Sequence, residues 1–222
     1  MIHFFKKEVL GVTKKQRAVL AVERLEQRYP DAICSLDYER RNAFQLLVAT
    51  RLSAQCTDAR VNMVTPALFE RFPDAQALAA ATAEQVEPYI RSCGLYKTKA
   101  RDLVAMARML LDVYGGVIPD TVEQLTALPG VGRKTANLVC GDIYHLPGAV
   151  VADTHCIRIS NRLGLCDSTD PRKVETQLRA LLPPEKSNDF CHRLVLFGRE
   201  ICEARSPRCA TCPLADICPS KR

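Results

Sequence analysis

Long apolar runs are missing from this chain of 222 residues, and tryptophan is absent altogether. No run approaches the roughly 18 residues of a membrane-spanning helix, so we expect no membrane partner. The N-terminus shows no long apolar segment followed by a small-residue cleavage site, which a signal peptide would have. We therefore expect a cytoplasmic protein, in a reducing compartment that disfavours disulfides.

Alternation of apolar and polar residues, the pattern of a half-buried strand, is also nearly absent. Helical spacing dominates instead. For example, Val19, Val22 and Leu25 fall near one face of a predicted helix over 16–28. Further helices are predicted over 43–56, 59–71, 76–80, 84–91, 98–113, 121–127, 133–144, 154–163, 171–181 and 188–201. The sequence therefore predicts an all-α fold.

The charge balance gives weak information about partners. Lys and Arg number 31 against 25 Asp and Glu, for a net charge of +6. The excess lies in two segments, residues 1–41 and 149–222, while residues 42–148 are neutral. If the terminal segments pack together, they form a mildly basic lobe beside a neutral one, although simple scatter over the surface explains so small an excess equally well.

Cysteine is the unusual feature, with eleven in the chain. Seven are scattered, and we interpret them as small buried hydrophobes. The other four follow the spacing Cys-x6-Cys-x2-Cys-x5-Cys at positions 202, 209, 212 and 218. A structural zinc usually takes two short Cys-x2-Cys pairs, whereas a 4Fe–4S cluster is larger and accepts ligands from a loop wrapped around it. The spacing of Cys202, Cys209, Cys212 and Cys218 favours the cluster and leaves zinc as the alternative. The same loop carries Arg205 and Arg208, whose guanidiniums could hold a phosphate.

A Leu-Pro-Gly-Val-Gly segment links two predicted helices at 128–132. Gly130 and Gly132 permit a tight reversal around Val131. The next helix begins near Arg133, and its unpaired N–H groups form an anion site suited to a DNA phosphate. An ordinary corner between two helices is the alternative.

Two residues that follow this hairpin in the sequence are candidate catalytic groups. Lys134 lies in the first turn of the second helix, where the positive end of the helix dipole disfavours an ammonium ion. A neutral amine can attack carbon and form a Schiff base, although contact with a phosphate explains a lysine there as well. Asp153 begins another predicted helix, where it is expected to be the N-cap. A capping carboxylate that faces a cleft can also stabilise a cation.

Together these segments resemble endonuclease III, a family of DNA glycosylases in the helix–hairpin–helix superfamily. The resemblance rests on five motifs in order: Leu52-Ser-Ala-Gln-Cys-Thr-Asp58, Gly94-Leu-Tyr96, Leu128-Pro-Gly-Val-Gly-Arg-Lys-Thr-Ala136, Ala152-Asp-Thr-His155 and the four-cysteine loop. It covers roughly residues 16–218. It implies a two-lobed fold with a six-helix barrel over 36–146. Residues 1–35 and 147–222 would join as the iron–sulfur cluster lobe, with a 4Fe–4S cluster.

The resemblance also implies a reaction. The substrate would be double-stranded DNA with an oxidised pyrimidine or an abasic site, and the damaged nucleotide would be flipped out of the stack. Lys134 would attack C1′ to form a Schiff base, Asp153 would assist, and β-elimination would cut the strand 3′ to the lesion. Gln55, Leu95 and His155 match the positions that fill the gap left by the flipped nucleotide. We expect a monomer of the bacterial cytosol and nucleoid.

Some residues depart from the family pattern, and two other functions stay open. Arg51 stands where the family usually has an apolar residue, and Cys56 where a small Ala is common. An adenine-mismatch glycosylase of the same superfamily shares the hairpin and the cluster, but it typically lacks a lysine at position 134. A non-catalytic metal-cluster module that binds DNA is the second alternative, and the presence of both Lys134 and Asp153 argues against it.

Overall fold

A computed structural model describes residues 11–222, which form eleven α-helices and no strand within that range. The helices are α1 (Lys14–Arg28), α2 (Ala43–Ser53), α3 (Asp58–Arg71), α4 (Ala75–Ala79), α5 (Ala83–Ile90), α6 (Tyr96–Tyr114), α7 (Val122–Ala127), α8 (Arg133–Asp142), α9 (Thr154–Arg162), α10 (Pro171–Arg179) and α11 (Ser187–Glu200). Short 3₁₀ turns lie at Pro184–Lys186 and Cys209–Thr211. None of the helices described has the length and apolarity to cross a membrane. The all-α prediction is confirmed.

The chain divides into two compact units. One unit, which we call the hairpin unit, is continuous from Cys34 to His145 and contains α2 to α8. The other, the cluster unit, joins the segment that ends at Ile33 to Leu146–Arg222. The resemblance predicts 36–146 for the first of these lobes. The first ten residues of the predicted segment 1–35 lie outside the described residues.

The hairpin unit is built around α2. This helix buries nine of its eleven residues, and a helix that is apolar on all sides lies inside a core. The surrounding helices begin at side-chain caps that the sequence supplies. Thr57, Asp74 and Thr121 each accept a hydrogen bond from the amide three residues further on. Such caps satisfy N–H groups that the helix itself leaves unpaired.

The cluster unit ties the N-terminal helix to the C-terminal ones. The buried Arg193 of α11 donates from Nε to the carbonyl of Tyr29 at 3.3 Å. Glu26 of α1 accepts from Lys186 at 2.6 Å and lies 3.5 Å from Arg193. These polar contacts supplement an apolar core that α1, α9, α10 and α11 share. Core residues of these helices include Ala21, Leu25, Ile159, Val174, Leu178, Phe190, Leu194 and Phe197.

Candidate functional site

The hairpin is a tight turn packed against its neighbours. Gly130 has a φ of +74°, in the left-handed region that favours glycine. A Cβ placed there would lie 2.6 Å from Nε of Arg51 and 2.9 Å from Cβ of Asp102. Val131 is buried, which fixes the turn to the core. Both backbone conformation and packing therefore require glycine at position 130.

The α8 end of the hairpin is open. Gly132 is the N-cap of α8, and no side chain caps the helix there. A Cβ at Gly132 would meet nothing within 4 Å. Gly132 is exposed and Arg133 is half-buried. The first-turn amides of α8 are thus placed at a surface with room for an anion.

Lys134 is exposed in the first turn of α8. Within the described part of the chain its ammonium has no hydrogen bond or ion pair. Its neighbour Cys34 is a thiol whose pKa is raised to about 12, chiefly by burial, with Asp142 and Asp58 adding to the shift and Lys134 opposing it. Cys34 is therefore neutral at physiological pH and leaves the amine unpaired, which suits a nucleophile.

Asp153 caps α9, as the sequence predicts. Its Oδ1 accepts from the backbone N–H of Cys156 at 2.7 Å, and the residue is half-buried. Among the described residues, no side chain donates to its carboxylate. One oxygen is thus used to orient the carboxylate and the other is left for a cation. Lys134 belongs to the hairpin unit and Asp153 to the cluster unit.

Gln55 and Leu95 stand on strained, exposed turns. Their φ angles are +55° and +59°, which non-glycine residues seldom adopt. Leu95 keeps 61% of its surface exposed, so it is no core leucine. The two turns adjoin each other, since a Cβ on Gly94 would lie 3.5 Å from the carbonyl of Gln55. Strain of this kind is concentrated at functional sites, and here it exposes an amide and an apolar side chain on adjoining turns.

A buried lysine supports the Gln55 turn. Lys99 of α6 is fully buried and donates from Nζ to the carbonyl of Leu52 at 2.8 Å, near the end of α2. Burial lowers its pKa. No pattern in the sequence distinguishes this lysine from a surface cation, because its role depends on a carbonyl 47 residues away.

His155 lies in the first turn of α9, against α11. A Cβ on Gly198 would come within 2.3 Å of Nδ1 of His155 and 2.8 Å of Nη2 of Arg158. The absence of a side chain at Gly198 lets α9 approach α11 closely. Arg158 in turn donates to the carbonyl of Cys202 at 3.0 Å. Helix α9, which is capped by Asp153 and carries His155, is therefore held in place by its close contact with Gly198 and by the hydrogen bond from Arg158 to Cys202 in the cysteine loop.

Arg51, which departs from the pattern of the resembling family, has a carboxylate partner in the structure. Its Nε donates to Oδ2 of Asp102 at 2.9 Å, and Nη2 contacts the same oxygen. The signal in the sequence was a cation at a position where the resembling family has an apolar residue. Asp102, its partner 51 residues away, carried no signal.

The four C-terminal cysteines line one cavity of about 170 Å³ in the cluster unit. Apolar side chains close it, among them Leu163, Phe197, Ile201 and Leu214. Zinc needs its ligands at one point, whereas each thiolate of a 4Fe–4S cluster binds a different iron around a larger body. The donor set and its cavity therefore fit the cluster better than zinc.

The cysteine loop is held by arginines. Arg162 donates to the carbonyls of Glu203 and Ala204, both at 2.7 Å, and lies 3.3 Å from Sγ of Cys202. Burial raises the pKa of Cys212 and of Cys218, so bound iron is what would hold these sulfurs as thiolates. The backbone N–H of Leu214 also points at Sγ of Cys212, 3.4 Å away.

The two predicted phosphate contacts on this loop differ. Arg205 is exposed and, within the described residues, has no ion pair. Arg208 is also exposed but pairs with Glu203 at 3.4 Å. Arg205 is the better placed of the two to meet an anion, since Arg208 would have to share its charge.

Known proteins are similar to this chain over nearly its whole length. Residues 48–184 match the HhH-GPD superfamily base excision DNA repair proteins, and residues 202–218 match the iron-sulfur binding domain of endonuclease III. The chain is 46% identical to endonuclease III of Synechocystis sp. (strain ATCC 27184 / PCC 6803 / Kazusa), covering 94% of each chain. It is 42% identical to endonuclease III of Bacillus subtilis (strain 168), covering 89% of each. A solved structure of a trapped endonuclease III–DNA covalent intermediate superposes with a TM-score of 0.86 at 42% identity, over 93% of this chain and 96% of that one.

Proposed function

Since the chain belongs to the endonuclease III family of base excision DNA glycosylases and AP lyases, we propose that Lys134 is its nucleophile and Asp153 the carboxylate that assists it. The observation that carries the assignment is the exposed, unpaired amine at the start of α8, directly after the hairpin. The protein binds DNA and carries a 4Fe–4S cluster. Its substrates are duplexes with an oxidised pyrimidine or an abasic site.

The reaction begins when Nζ of Lys134 attacks C1′ of the flipped nucleotide. The glycosidic C–N bond breaks, and the base leaves with the bonding electrons. Opening of the sugar ring gives an iminium between Lys134 and C1′. Loss of a proton from C2′ then expels the 3′ phosphate, which cuts the strand. A trapped covalent intermediate with DNA is described for the similar solved protein, and it supports covalent chemistry in this chain.

Asp153 has two tasks in this scheme. Its charge stabilises the positive charge that develops on the sugar as the base departs. It can also accept a proton from the attacking amine. The bond from the Cys156 amide fixes one carboxylate oxygen and leaves the other available for both tasks.

The strained turns supply the groups that hold the duplex open. We propose that Leu95 enters the stack as an apolar wedge, and that Gln55 and His155 bind the base left without a partner. The hairpin backbone from Gly130 to Arg133 grips a phosphate without selecting a sequence. Arg205, and to a lesser degree Arg208, would hold a second phosphate.

The cluster supplies cross-linking rather than bond cleavage in this proposal. Cys202, Cys209, Cys212 and Cys218 would each bind one iron and close the loop around an apolar cavity. The loop would then present Arg205 and support Arg158 and Arg162. We also propose that the protein acts as a monomer in the bacterial cytosol, where its DNA substrate lies.

Borohydride trapping on a duplex with thymine glycol or an abasic site tests the assignment. Wild-type protein should form a covalent adduct, and Lys134→Gln should form none. Lys173→Gln, an exposed lysine of α10, is the matched control and should trap like wild type. An adduct of normal yield from Lys134→Gln would reject the nucleophile, whereas wild-type protein that neither traps nor nicks DNA would reject lyase activity.

A further inference from the structure

An ion pair with no assigned role joins two helices of the hairpin unit. Arg51 lies in the last turn of α2, and Asp102 lies in α6. Nε and Nη2 of Arg51 both contact Oδ2 of Asp102. The two side chains are 13% and 27% exposed, so solvent screens their attraction less than it would at an open surface.

The phosphate-binding turn rests on this pair. The Cβ position of Gly130 is 2.6 Å from Nε and 2.8 Å from Cδ of Arg51, and 2.9 Å from Cβ of Asp102. No side chain could be inserted between the turn and the pair. The backbone of the hairpin is therefore seated directly on a guanidinium that Asp102 holds in place.

The same two helices lead to the residues that enter the duplex. Gln55 follows Arg51 by four residues, and Leu95 precedes Asp102 by seven. Asp102 is on the helix whose N-cap is Leu95. One ion pair thus contacts the hairpin, the end of α2 that leads to Gln55 and the helix whose N-cap is Leu95.

We propose that Arg51 and Asp102 are positioning residues that set the hairpin in register with Gln55 and Leu95. DNA held by a phosphate at the hairpin must meet the wedge at a fixed distance along the duplex, so a looser hairpin weakens both contacts together. This inference rests on the proposed function, because it takes the hairpin and the wedge as DNA contacts. Loss of either partner leaves the other charge unpaired and partly buried, which favours movement of Arg51 away from the turn.

Binding to a duplex with an uncleavable abasic-site analogue tests the proposal. Asp102→Asn and Arg51→Leu should each raise Kd about tenfold, and the double variant should add little to either, because both remove one interaction. The slope of log K against log salt should become shallower by about one unit, the share of one phosphate. Asp102→Glu keeps the charge and should restore most of the affinity.

Arg108→Leu is the matched control, because this α6 arginine also makes two hydrogen bonds, to the carbonyls of Ala79 and Ala81, and is none of the proposed DNA contacts. It should lower thermal stability while Kd and the salt slope stay at wild-type values. All variants are measured well below their melting temperatures. If Arg51→Leu and Asp102→Asn behave like Arg108→Leu, the pair is structural and the proposal is overturned. If wild-type protein still forms the borohydride-trapped adduct, the proposed lyase function stands even though the positioning role is rejected. If wild-type protein forms no adduct, the lyase function itself is rejected, and the positioning role falls with it.

Discussion

The two units present functional residues in different ways. The hairpin unit places its proposed DNA contacts on short turns above a core of apolar helices, and two of those turns are strained at Gln55 and Leu95. The cluster unit ends in a loop, residues 202–218, that has no α-helix and surrounds a cavity lined by four cysteines. Packing against the core holds the turns of the hairpin unit in place, whereas the loop over 202–218 in the cluster unit depends on its cofactor.

The difference shows where each unit is vulnerable. A turn seated on a packed core can be moved by one added methyl group, because interiors are close-packed. The loop over residues 202–218 buries only Leu214 and Ile217 among its apolar side chains, so we expect it to lose order when the metal–thiolate bonds that would close it are removed. Arg162 reduces this dependence by holding two loop carbonyls, but it does not close the cavity.

Removal of the iron should produce the largest effect and should be confined to one unit. Oxidative loss of the cluster should raise amide hydrogen exchange over 202–218 by at least about a hundredfold, because the loop opens without its cross-links. Helices α2 to α8 should keep their protection. Equal loss of protection in both units, or none in the loop, would contradict the division that we draw between them.

Gly130→Ala and Gly132→Ala compare a seated glycine with an open one. Alanine at 130 meets Arg51 and Asp102 and takes a left-handed conformation, so we expect a loss of about 1–3 kcal/mol in unfolding free energy. Alanine at 132 meets nothing, and its cost should stay below about 1 kcal/mol. Chemical denaturation measures both, and similar values for the two variants would disprove the close packing of the hairpin.

Gly198→Ala applies the same change to the cluster unit. The methyl group would press on His155 and Arg158, so α9 must shift and carry Asp153 with it. We expect a destabilisation of about 1–3 kcal/mol by denaturation. Single-turnover excision should slow as well, while binding of undamaged DNA changes less. Full activity with an unshifted melting temperature would show that α9 does not depend on this close approach.

Leu95→Gly should separate stability from activity with the smallest energetic change. Glycine relieves the left-handed backbone at an exposed site, so stability should rise by up to about 1 kcal/mol, whereas excision should fall because the wedge is gone. Arg41→Gly is the control, since Arg41 has a φ of +69°, is exposed and has no proposed role at the DNA surface. It should gain stability and keep its activity. A similar loss of activity in both variants would remove the special role of Leu95.

The sequence predicted those features that local patterns encode. Helical periodicity located every long helix, although the predicted 43–56 helix ends at Ser53, because the chain turns to bring Gln55 into a left-handed conformation. Gln55 and Leu95 are not among the residue types that favour a positive φ, so the sequence gives no sign of these two turns. The contact of Arg51 with Asp102 was equally hidden, because it joins residues far apart in the chain.

The net positive charge of the terminal segments predicts only part of their basic surface. Several arginines of the terminal segments are buried or bound inside the cluster unit. Arg17 donates to the carbonyl of Leu163 at 3.2 Å, and Arg193 is 3% exposed. The excess of positive charge in these segments therefore overstates the basic surface that could meet DNA, because long cationic side chains can serve as internal hydrogen-bond donors.

Mapping of the trapped adduct tests the central claim most directly. Wild-type protein is reduced with borohydride on a duplex with a single abasic site, digested, and the modified peptide is sequenced by mass spectrometry. We predict one modified residue, Lys134, in the peptide that follows the hairpin. A sugar remnant on any other lysine, with Lys134 unmodified, would contradict the account.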